Sequence, residues 1–300
     1  MNLSFNPIFE GDQYRLCAGR DPDADDLAAI QRATAVILPQ GCRASLYRAA
    51  TRYCARVFPN YQARFAYPGK LGQSRLFKQV GVPHPLSFRY TDTTTFLRRH
   101  PAETTPVPPP AVVKLDWGGE GDGVFPVMHD QDLAAVLRRL QDFEITGQRG
   151  FIVQQWIPAR GRSLRVVVIG HQMLSYWRVM PSDTTPVASL AMGGTIDRTS
   201  DHHLMTAAES ATAAFCRGTG INLAGFDFLF SSDPSVVDPR TPLFLEINYF
   251  FGRRGLGGAD AYYQQLRQAI NHWLQHGEPA SKNPLEENHP HDGSLRLPDR

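Results

Sequence analysis

The chain has 300 residues, of which 42% are hydrophobic and 20% charged, and its net charge is +2. This composition is that of an ordinary soluble protein, and the length allows one large domain or two to three small ones. Acidic and basic residues are spread along the chain, and no basic stripe indicates a nucleic-acid-binding surface. Residues 1–16 lack the charge pattern of a signal peptide, and no apolar run approaches the roughly 20 residues of a membrane span.

Residues 1–68 are predicted to form a short α/β unit. The apolar run "TAVILP" at 34–39 indicates a buried strand. Residues 43–58 indicate a helix, because their apolar positions recur at the helical period. Another helix is predicted within 69–85, "GKLGQSRLFKQVGVPHP", and it should end at Gly81.

Residues 69–276 are predicted to form a second, larger domain. Proline suits neither a helix interior nor a central strand, so "PVPPP" at 106–110 is expected to be a stiff connector. Residues 111–127 indicate a strand, a glycine-rich turn and a second strand. The later predicted elements are a helix at 130–143, a strand at 150–157, a hairpin at 163–180, a helix at 205–217, strands at 223–230 and 243–251, and a helix at 259–275. Residues 277–300 have little to bury and are expected to be a disordered tail.

Two predicted strands carry polar side chains inside apolar runs. In "LEIN" the alternation of a strand puts Glu246 and Asn248 on one face, with Leu245 and Ile247 on the other. Asp227 interrupts "GFDFLF" in the same way, so the three polar side chains converge if the two strands pair. Such oxygen donors suit Mg²⁺, but a buried salt bridge to an arginine would also offset the cost of burial. Both explanations remain open at this stage.

A glycine-rich turn follows the strand that contains Lys114. The glycines of this turn are Gly118, Gly119, Gly121 and Gly123. Because they lack side chains, a polyphosphate could approach the backbone N–H groups closely. A flexible hairpin turn would explain the glycines equally well. The turn is neither a Walker A motif nor the start of a dinucleotide-binding helix. An inward-facing lysine just before the turn favours the phosphate interpretation.

Two arginines lie on opposite arms of the hairpin predicted at 163–180. Arg165 and Arg178 are each flanked by apolar strand residues, which favours recognition of a phosphate or carboxylate over an ordinary surface position. The strand that ends in "IVQQWI" could offer backbone groups and an apolar edge to a flat heterocycle.

From about Lys70 to Gly258, the order of these features resembles the ATP-grasp superfamily, and within it the branch of ribosomal-protein glutamate ligase and glutathione synthetase. Segment 69–85 is similar to the lysine-bearing helix that ends in "GIPxP" in that family, and "GRSLRVVVIG" is similar to its "G-x-x-x-R-V-x-V-x-G". "AMGGT" stands where the family has a "GG" turn. The resemblance implies an α+β protein with the ATP-grasp fold, whose two α+β subdomains clasp ATP and follow the short α/β unit.

The resemblance also implies roles for single residues. Phosphate contacts to ATP would come from Lys70 and Lys114, and the loop of Gly118, Gly119, Gly121 and Gly123 would close over the γ-phosphate. The adenine hinge would consist of Gln154, Gln155, Trp156 and Ile157, mainly through the backbone of the last two. Mg²⁺ would be held by Asp227, Glu246 and Asn248, while Arg165 and Arg178 would steady the transferring phosphoryl group or a substrate carboxylate.

The implied activity is ATP-dependent ligation of a carboxylate to an amine through an acyl phosphate. The alternatives are a phosphotransferase that acts on a hydroxyl acceptor, and a nucleotide-binding module that has lost turnover. Small-molecule or peptide substrates are expected, without nucleic acid or membrane, in a monomer or a homo-oligomer. The four scattered cysteines, which include no CxxC pair, are expected to be reduced thiols in the cytoplasm.

The chain departs from the family on the side where a substrate would bind. Gln155 replaces the usual hinge glutamate, and Ala191-Met192 replaces a basic residue before the "GG" turn. The family often continues with Ser-Pro-Gly after its asparagine, whereas this chain has "YFFGRRGLGG". Arg253 and Arg254 there either bind an anionic substrate or face solvent. The substrates therefore cannot be carried over from the family.

Overall fold

The computed structural model describes residues 1–17, 19–101, 104–119, 121, 123–181 and 193–277. The predicted tail beyond residue 277 and the Ala191-Met192 pair lie outside this range. The helices are α1 (Ala24–Arg32), α2 (Ala44–Tyr53), α3 (Gln62–Ala66), α4 (Gly69–Val80), α5 (Thr93–Arg99), α6 (Asp130–Ile145), α7 (His202–Thr219) and α8 (Ala259–His276), with a short 3₁₀ helix at Arg254–Leu256. Among these helices, none is long and apolar enough to cross a membrane.

The described strands form three sheets. They are β1 (Asn2–Ser4), β2 (Gln13–Tyr14), β3 (Ala35–Ile37), β4 (Val57–Phe58), β5 (Ser87–Tyr90), β6 (Ala111–Leu115), β7 (Val124–Val127), β8 (Phe151–Gln155), β9 (Arg162–Ile169), β10 (Gln172–Val179), β11 (Thr195–Asp197), β12 (Leu223–Leu229) and β13 (Leu243–Asn248). The orders are β2-β1-β3-β4 in the N-terminal sheet, β5-β8-β6-β7 in the middle sheet and β11-β10-β9-β12-β13 in the C-terminal sheet.

The N-terminal sheet is parallel and carries α1 and α2 between its strands, as expected for an α/β unit. The helix predicted over residues 43–58 is too long, because α2 ends at Tyr53 and Val57–Phe58 forms β4 beside β3. Short apolar runs satisfy a helix stripe and a buried strand equally well, so periodicity alone could not place this boundary. The pairing of Val57–Phe58 with β3 excludes these residues from the helix.

The middle sheet is antiparallel, and α5 and α6 pack on one side of it. Helix α6 buries the apolar stripe predicted from its spacing: Leu133, Val136, Leu137 and Leu140. Strands β6 and β7 form a hairpin around the glycine-rich loop, as predicted. Helix α4 ends as predicted before Gly81, which adopts the left-handed conformation with φ of 75°.

The C-terminal sheet is antiparallel and has two differently covered faces. Along β9, the side chains of Leu164, Val166 and Val168 share a core with α7, whereas Val167 and Ile169 share one with α8. Arg165 lies on the same face as Val167, but towards the other end of the strand. This polar end of the face, next to β12 and β13, is where the candidate site lies.

A close contact with Tyr176 on β10 requires a glycine at position 255. A Cβ atom at this position would lie 2.0 Å from the Tyr176 ring, whereas one at Gly252 would have no atom within 4 Å. We therefore expect Gly255→Ala to lower the free energy of unfolding by about 1–3 kcal/mol. Urea denaturation would measure the change, with Gly252→Ala as the matched control; equal effects of the two substitutions would contradict the packing argument.

Candidate active site

A cleft of about 330 Å³, part of which is open to solvent, lies between α4, the middle sheet and β13. Lining residues come from three elements that are distant in sequence: Lys70, Gln73 and Phe77 on α4, Lys114 and Gln154 in the middle sheet, and Leu245 and Glu246 on β13. The fold therefore brings both predicted lysines and one predicted metal ligand to one place.

Lys70 connects two of the segments proposed to contact ATP. Its Nζ donates a hydrogen bond to the carbonyl oxygen of Gly118 at 3.2 Å and lies 3.6 Å from Glu246 Oε1. The lysine thus spans the gap between the glycine-rich loop and β13. An anion bound between these segments would meet this ammonium group directly.

Lys114 is buried, and its ammonium group has an uncharged partner. Its Nζ donates to Gln154 Oε1 at 2.7 Å, and Gln154 Nε2 in turn donates to Ser87 Oγ at 2.8 Å. Burial lowers the pKa of Lys114 to about 8, although the negative charge of Glu246 opposes that shift. Within the described residues, no carboxylate lies within salt-bridge distance of Lys114. A bound anion would supply the missing counter-charge.

Asp227 lies at the centre of a buried ionic network. Arg165 donates to both of its carboxylate oxygens, with 2.9 Å between Nη2 and Oδ2, and Arg178 Nη2 lies 2.8 Å from Oδ1. Burial opposes the negative charge, but the two arginines outweigh it and hold the pKa of Asp227 below its usual range. Burial also lowers the pKa of Arg178, which shares this one carboxylate with Arg165. The arginine salt bridge that the sequence left open is present.

The three predicted oxygen donors are neighbours on paired strands. Asp227 is the register partner of Glu246, and Asn248 Nδ2 donates to Asp227 Oδ2 at 3.1 Å. Around this point, the described residues include four cationic side chains and two carboxylates, which leaves an excess of two positive charges. The cationic residues are Lys70, Lys114, Arg165 and Arg178, and the carboxylates are Asp227 and Glu246. Such a cluster favours an anionic ligand.

One prediction about β13 was wrong. Strict alternation would turn Leu245 away from Glu246, but Leu245 lines the cleft beside it. Asp227 pairs with Glu246, but the next residue, Phe228, pairs with Phe244. The register therefore skips Leu245, which has no residue opposite it on β12. A β-bulge of this kind redirects a side chain, and here it adds an apolar wall to a charged site.

Comparisons with known proteins identify the fold. No family model matches the chain. A probable alpha-L-glutamate ligase of Xanthomonas euvesicatoria pv. vesicatoria is 30% identical over 172 residues, which cover 54% of this chain and 53% of the relative. The chain thus spans about half the length of the curated relatives that it matches.

Two solved structures extend the comparison. D-cycloserine synthetase DcsG matches with a TM-score of 0.55 at 16% identity, covering 91% of this chain and 99% of that one. A RimK domain ATP-grasp protein from Sphaerobacter thermophilus matches with a TM-score of 0.53 at 16% identity, covering 79% and 81%. This chain has the ATP-grasp fold. The resemblance seen in the sequence is thereby confirmed, as is the α+β class.

In this ATP-grasp fold, the predicted hinge is already engaged in hydrogen bonds. The backbone N–H of Gln155 donates to Leu86 O at 2.8 Å, and that of Trp156 donates to Pro110 O at 3.3 Å. A base bound at this edge would compete with Pro110 for the Trp156 N–H. The side chain of Gln154 is bonded to Lys114 and Ser87, so it supports the lysine within the protein.

The residues proposed as metal ligands fit Mg²⁺ in chemical type. Two carboxylates and a carboxamide on adjoining strands provide hard oxygen donors, which Mg²⁺ prefers. Asp227 already accepts two hydrogen bonds at each carboxylate oxygen, from Arg165, Arg178 and Asn248, so it could coordinate a cation only by exchanging one of these donors. Glu246 is the more accessible of the two carboxylates, with 29% of its side chain exposed against 6% for Asp227. The geometry leaves the metal assignment as a prediction.

Arg253 has a structural role that the sequence did not reveal. Its guanidinium group lies 4.6 Å from the centre of the Tyr263 ring and 5.1 Å from that of Tyr262, and Nη1 donates to the Tyr263 hydroxyl. The arginine holds the turn before α8 against that helix. The idea that it binds a substrate anion stays a prediction.

Asp116 is a site residue that sequence reasoning missed. It follows β6 directly, and its Oδ1 accepts a hydrogen bond from the backbone N–H of Leu71 at 2.7 Å. Pro68 precedes α4 and offers no capping side chain, so Asp116 caps this helix from another element. Gly69 makes the approach possible, since its φ is +65° and a Cβ there would lie 2.3 Å from Asp116 Oδ1. The cap fixes Lys70 beside the glycine-rich loop.

Asp116→Ala should lower the free energy of unfolding by about 0.5–2 kcal/mol, because the first turn of α4 loses its cap. Asn keeps an acceptor oxygen at the same place, so Asp116→Asn should retain most of the stability. Thermal unfolding of both variants would test this. Equal losses would show that charge, and not capping, matters at this position.

Gln73 is a second residue that no local pattern predicts. Its carboxamide forms two hydrogen bonds with the backbone of Ile247, each 2.8 Å long, one with the N–H and one with the carbonyl. Nearby, Pro83 O accepts a hydrogen bond from Phe244 N–H at 2.9 Å. Helix α4 and the loop after it are thereby fastened to β13. Only the tertiary structure reveals this, because Gln73 and Ile247 are far apart in sequence.

Proposed function

We propose that the protein is an ATP-dependent carboxylate–amine ligase that forms an amide through an acyl-phosphate intermediate. The observation that carries the proposal is a cleft of this ATP-grasp fold lined by Lys70, Lys114 and Glu246. Glu246 is paired with Asp227 of the buried arginine network, and positive charge is in excess across the two groups. The names of its relatives support the reaction class, since they include a probable alpha-L-glutamate ligase and a D-cycloserine synthetase.

In the proposed reaction, a substrate carboxylate oxygen attacks the γ-phosphorus of ATP, and the bond from that phosphorus to the β–γ bridging oxygen breaks. ADP leaves, and the carboxylate becomes an acyl phosphate. An amine nitrogen then attacks the acyl carbon, inorganic phosphate leaves, and the nitrogen loses a proton. No side-chain nucleophile is needed, so positioning and charge stabilisation account for the catalysis.

The side chains of the cleft supply that stabilisation. Lys114 would bind phosphate oxygens from a buried position, where its charge is weakly screened. Lys70 would bind them from the opposite side and exchange its bond to Gly118 O for one to the ligand. Arg165 and Arg178 stay close to the reacting groups because Asp227 holds them in place.

Glu246 and the side-chain oxygen of Asn248 would hold Mg²⁺, and Asp227 would join them by exchanging one of its four hydrogen-bond donors for the metal. When bound, Mg²⁺ neutralises phosphate charge and polarises the transferring phosphoryl group. The substrates would be small-molecule or peptide acids and amines, and the relative named as a glutamate ligase suggests an amino acid as one of them. A cytoplasmic location would give the enzyme its ATP.

Nucleotide binding is the first test of this proposal. A ligand that binds only the native state raises the melting temperature, by the equivalent of about 2.7 kcal/mol at a concentration of 100 Kd. We expect a non-hydrolysable ATP analogue with Mg²⁺ to raise the melting temperature of the wild type by several degrees. The double variant Glu246→Ala/Asn248→Ala should lose the Mg²⁺-dependent part of that rise. No rise at millimolar nucleotide would contradict the proposal, because both a ligase and a module without turnover would bind the nucleotide.

Phosphate release then separates the reaction classes. A ligase releases inorganic phosphate only when an acid and an amine are supplied together, so pools of amino acids would be screened alone and in pairs. Transfer of labelled γ-phosphate to a hydroxyl compound without phosphate release would instead identify a phosphotransferase.

A further inference from the structure

The cleft has a charged end and an apolar end along α4. Lys70 lies in the first turn of this helix and Phe77 seven residues later, which corresponds to about 10 Å along the helix axis. Phe77, Ile152 and Leu245 supply apolar walls to the cleft. A nucleotide with its phosphates at Lys70 would therefore extend its base towards Phe77. This orientation rests on the proposed function.

His84 lies at the apolar end and also lines the cleft. The centre of its ring is 6.1 Å from that of Phe77. Its Nδ1 is 2.7 Å from the carbonyl oxygen of Val82, and because a carbonyl can only accept, Nδ1 must carry the hydrogen. In the neutral ring, Nε2 then has a lone pair and can only accept. The backbone of the loop after α4 thus fixes the hydrogen-bonding character of this imidazole.

The other uncharged polar side chains of the cleft already have protein partners. Gln73 is bonded to Ile247, and Ser74 accepts from Arg89 at 3.4 Å. Gln154 uses its carbonyl for Lys114 and its amide for Ser87, whose hydroxyl donates to Pro85 O at 2.7 Å. The hydrogen bonds among the described residues give His84 Nε2 no such partner. It is therefore an acceptor that a ligand can use.

We propose that His84 Nε2 accepts a hydrogen bond from the 6-amino group of a purine base and thereby selects adenine nucleotides over 6-oxopurine nucleotides. A 6-oxo group presents an oxygen acceptor to the same nitrogen, and two acceptors repel each other. His84 is therefore a specificity-determining residue of the cleft.

The test compares ADP with IDP, which differ in the 6-substituent of the base. Dissociation constants would be measured by calorimetry with Mg²⁺ at pH 8. We expect the wild type to bind ADP about five- to tenfold more tightly than IDP, in line with one hydrogen bond. His84→Phe keeps an aromatic ring beside Phe77 but removes the acceptor. It should therefore weaken the binding of ADP about five- to tenfold and leave the affinity for IDP unchanged.

Two further variants make the outcome specific. His84→Gln supplies an acceptor oxygen and should recover part of the preference for ADP, even if the phenylalanine variant folds poorly. His203→Phe changes an exposed histidine on α7 and should leave both affinities as in the wild type. Equal weakening of ADP and IDP by His84→Phe would overturn the inference but leave the proposed function intact. Failure of both nucleotides to bind the wild type would overturn the proposed function, and the inference with it.

Discussion

Replacing Lys114 with methionine should stabilise the protein at pH 7 and at the same time weaken nucleotide binding at least tenfold. Methionine fills a similar space without a charge to dehydrate, although it leaves the buried Gln154 Oε1 without its donor, at a cost of about 1–3 kcal/mol that offsets part of the gain. The lowered pKa of Lys114, about 8 against the usual 10.5, corresponds to a cost of about 3 kcal/mol for keeping the lysine charged in the folded protein. The lost contact with phosphate corresponds to a charge-assisted hydrogen bond, which contributes about 1.5–3 kcal/mol. Stability and binding should therefore change in opposite directions.

The pH dependence gives this prediction a clear sign. Between the folded pKa of about 8 and the usual value of lysine, the unfolded chain holds a proton that the folded protein has released. Wild-type stability should therefore rise with pH across that window, and the methionine variant should lack this rise. Urea denaturation at pH 7 and pH 10 would measure both slopes. Lys78→Met, at an exposed position on α4, is the matched control and should change neither the slope nor the binding.

Asp227→Asn should be among the most damaging single substitutions in the chain, with a loss of about 3–5 kcal/mol in the free energy of unfolding. Arg165 and Arg178 would keep their charges in a buried site and lose their shared carboxylate. Asparagine has nearly the same shape, so the loss would reflect charge and not a cavity. The arginines lower the pKa of Asp227, so its stabilising contribution should be present above the usual aspartate pKa and disappear as the pH falls through the depressed value.

An exposed ion pair on the same chain provides the comparison. Asp238 and Arg240 lie 3.1 Å apart with 50% and 79% of their side chains exposed, so Asp238→Asn should change stability little. Chemical denaturation at pH 7 would give the free energy of unfolding of each variant. If Asp227→Asn were no worse than Asp238→Asn, the central role of the buried network would be refuted.

Much of the fold could be predicted from local sequence patterns. Helix α4 and its end at Gly81 followed from a glycine that can adopt positive φ, and the stripe on α6 followed from helical spacing. The convergence of Asp227 with Glu246 followed from two polar interruptions in strands separated by a short loop. Each of these features is encoded within a few residues, which is why a single sequence was sufficient.

The remaining features depend on partners that are distant in sequence. No local pattern indicates that Asp116 caps α4 or that Gln154 supports Lys114, because each contact joins separate elements. The position of Leu245 depends on a bulge, and bulges arise from the pairing of two strands. The presence of a salt bridge at Asp227 also depended on the positions of both arginines. The sequence predicted candidate site residues, and the tertiary structure revealed which contacts hold them in place.

The contact between Gln73 and Ile247 has a consequence for self-association. Strand β13 is the last strand on its side of the C-terminal sheet, and unpaired strand edges are templates on which another chain can add a strand and begin to aggregate. Here the carboxamide of Gln73 occupies the backbone groups of Ile247 as a neighbouring strand would, and Pro83 occupies the N–H of Phe244. An intruding strand would have to displace α4 first. The helix that carries Lys70 to the cleft thus also protects the sheet from intermolecular pairing.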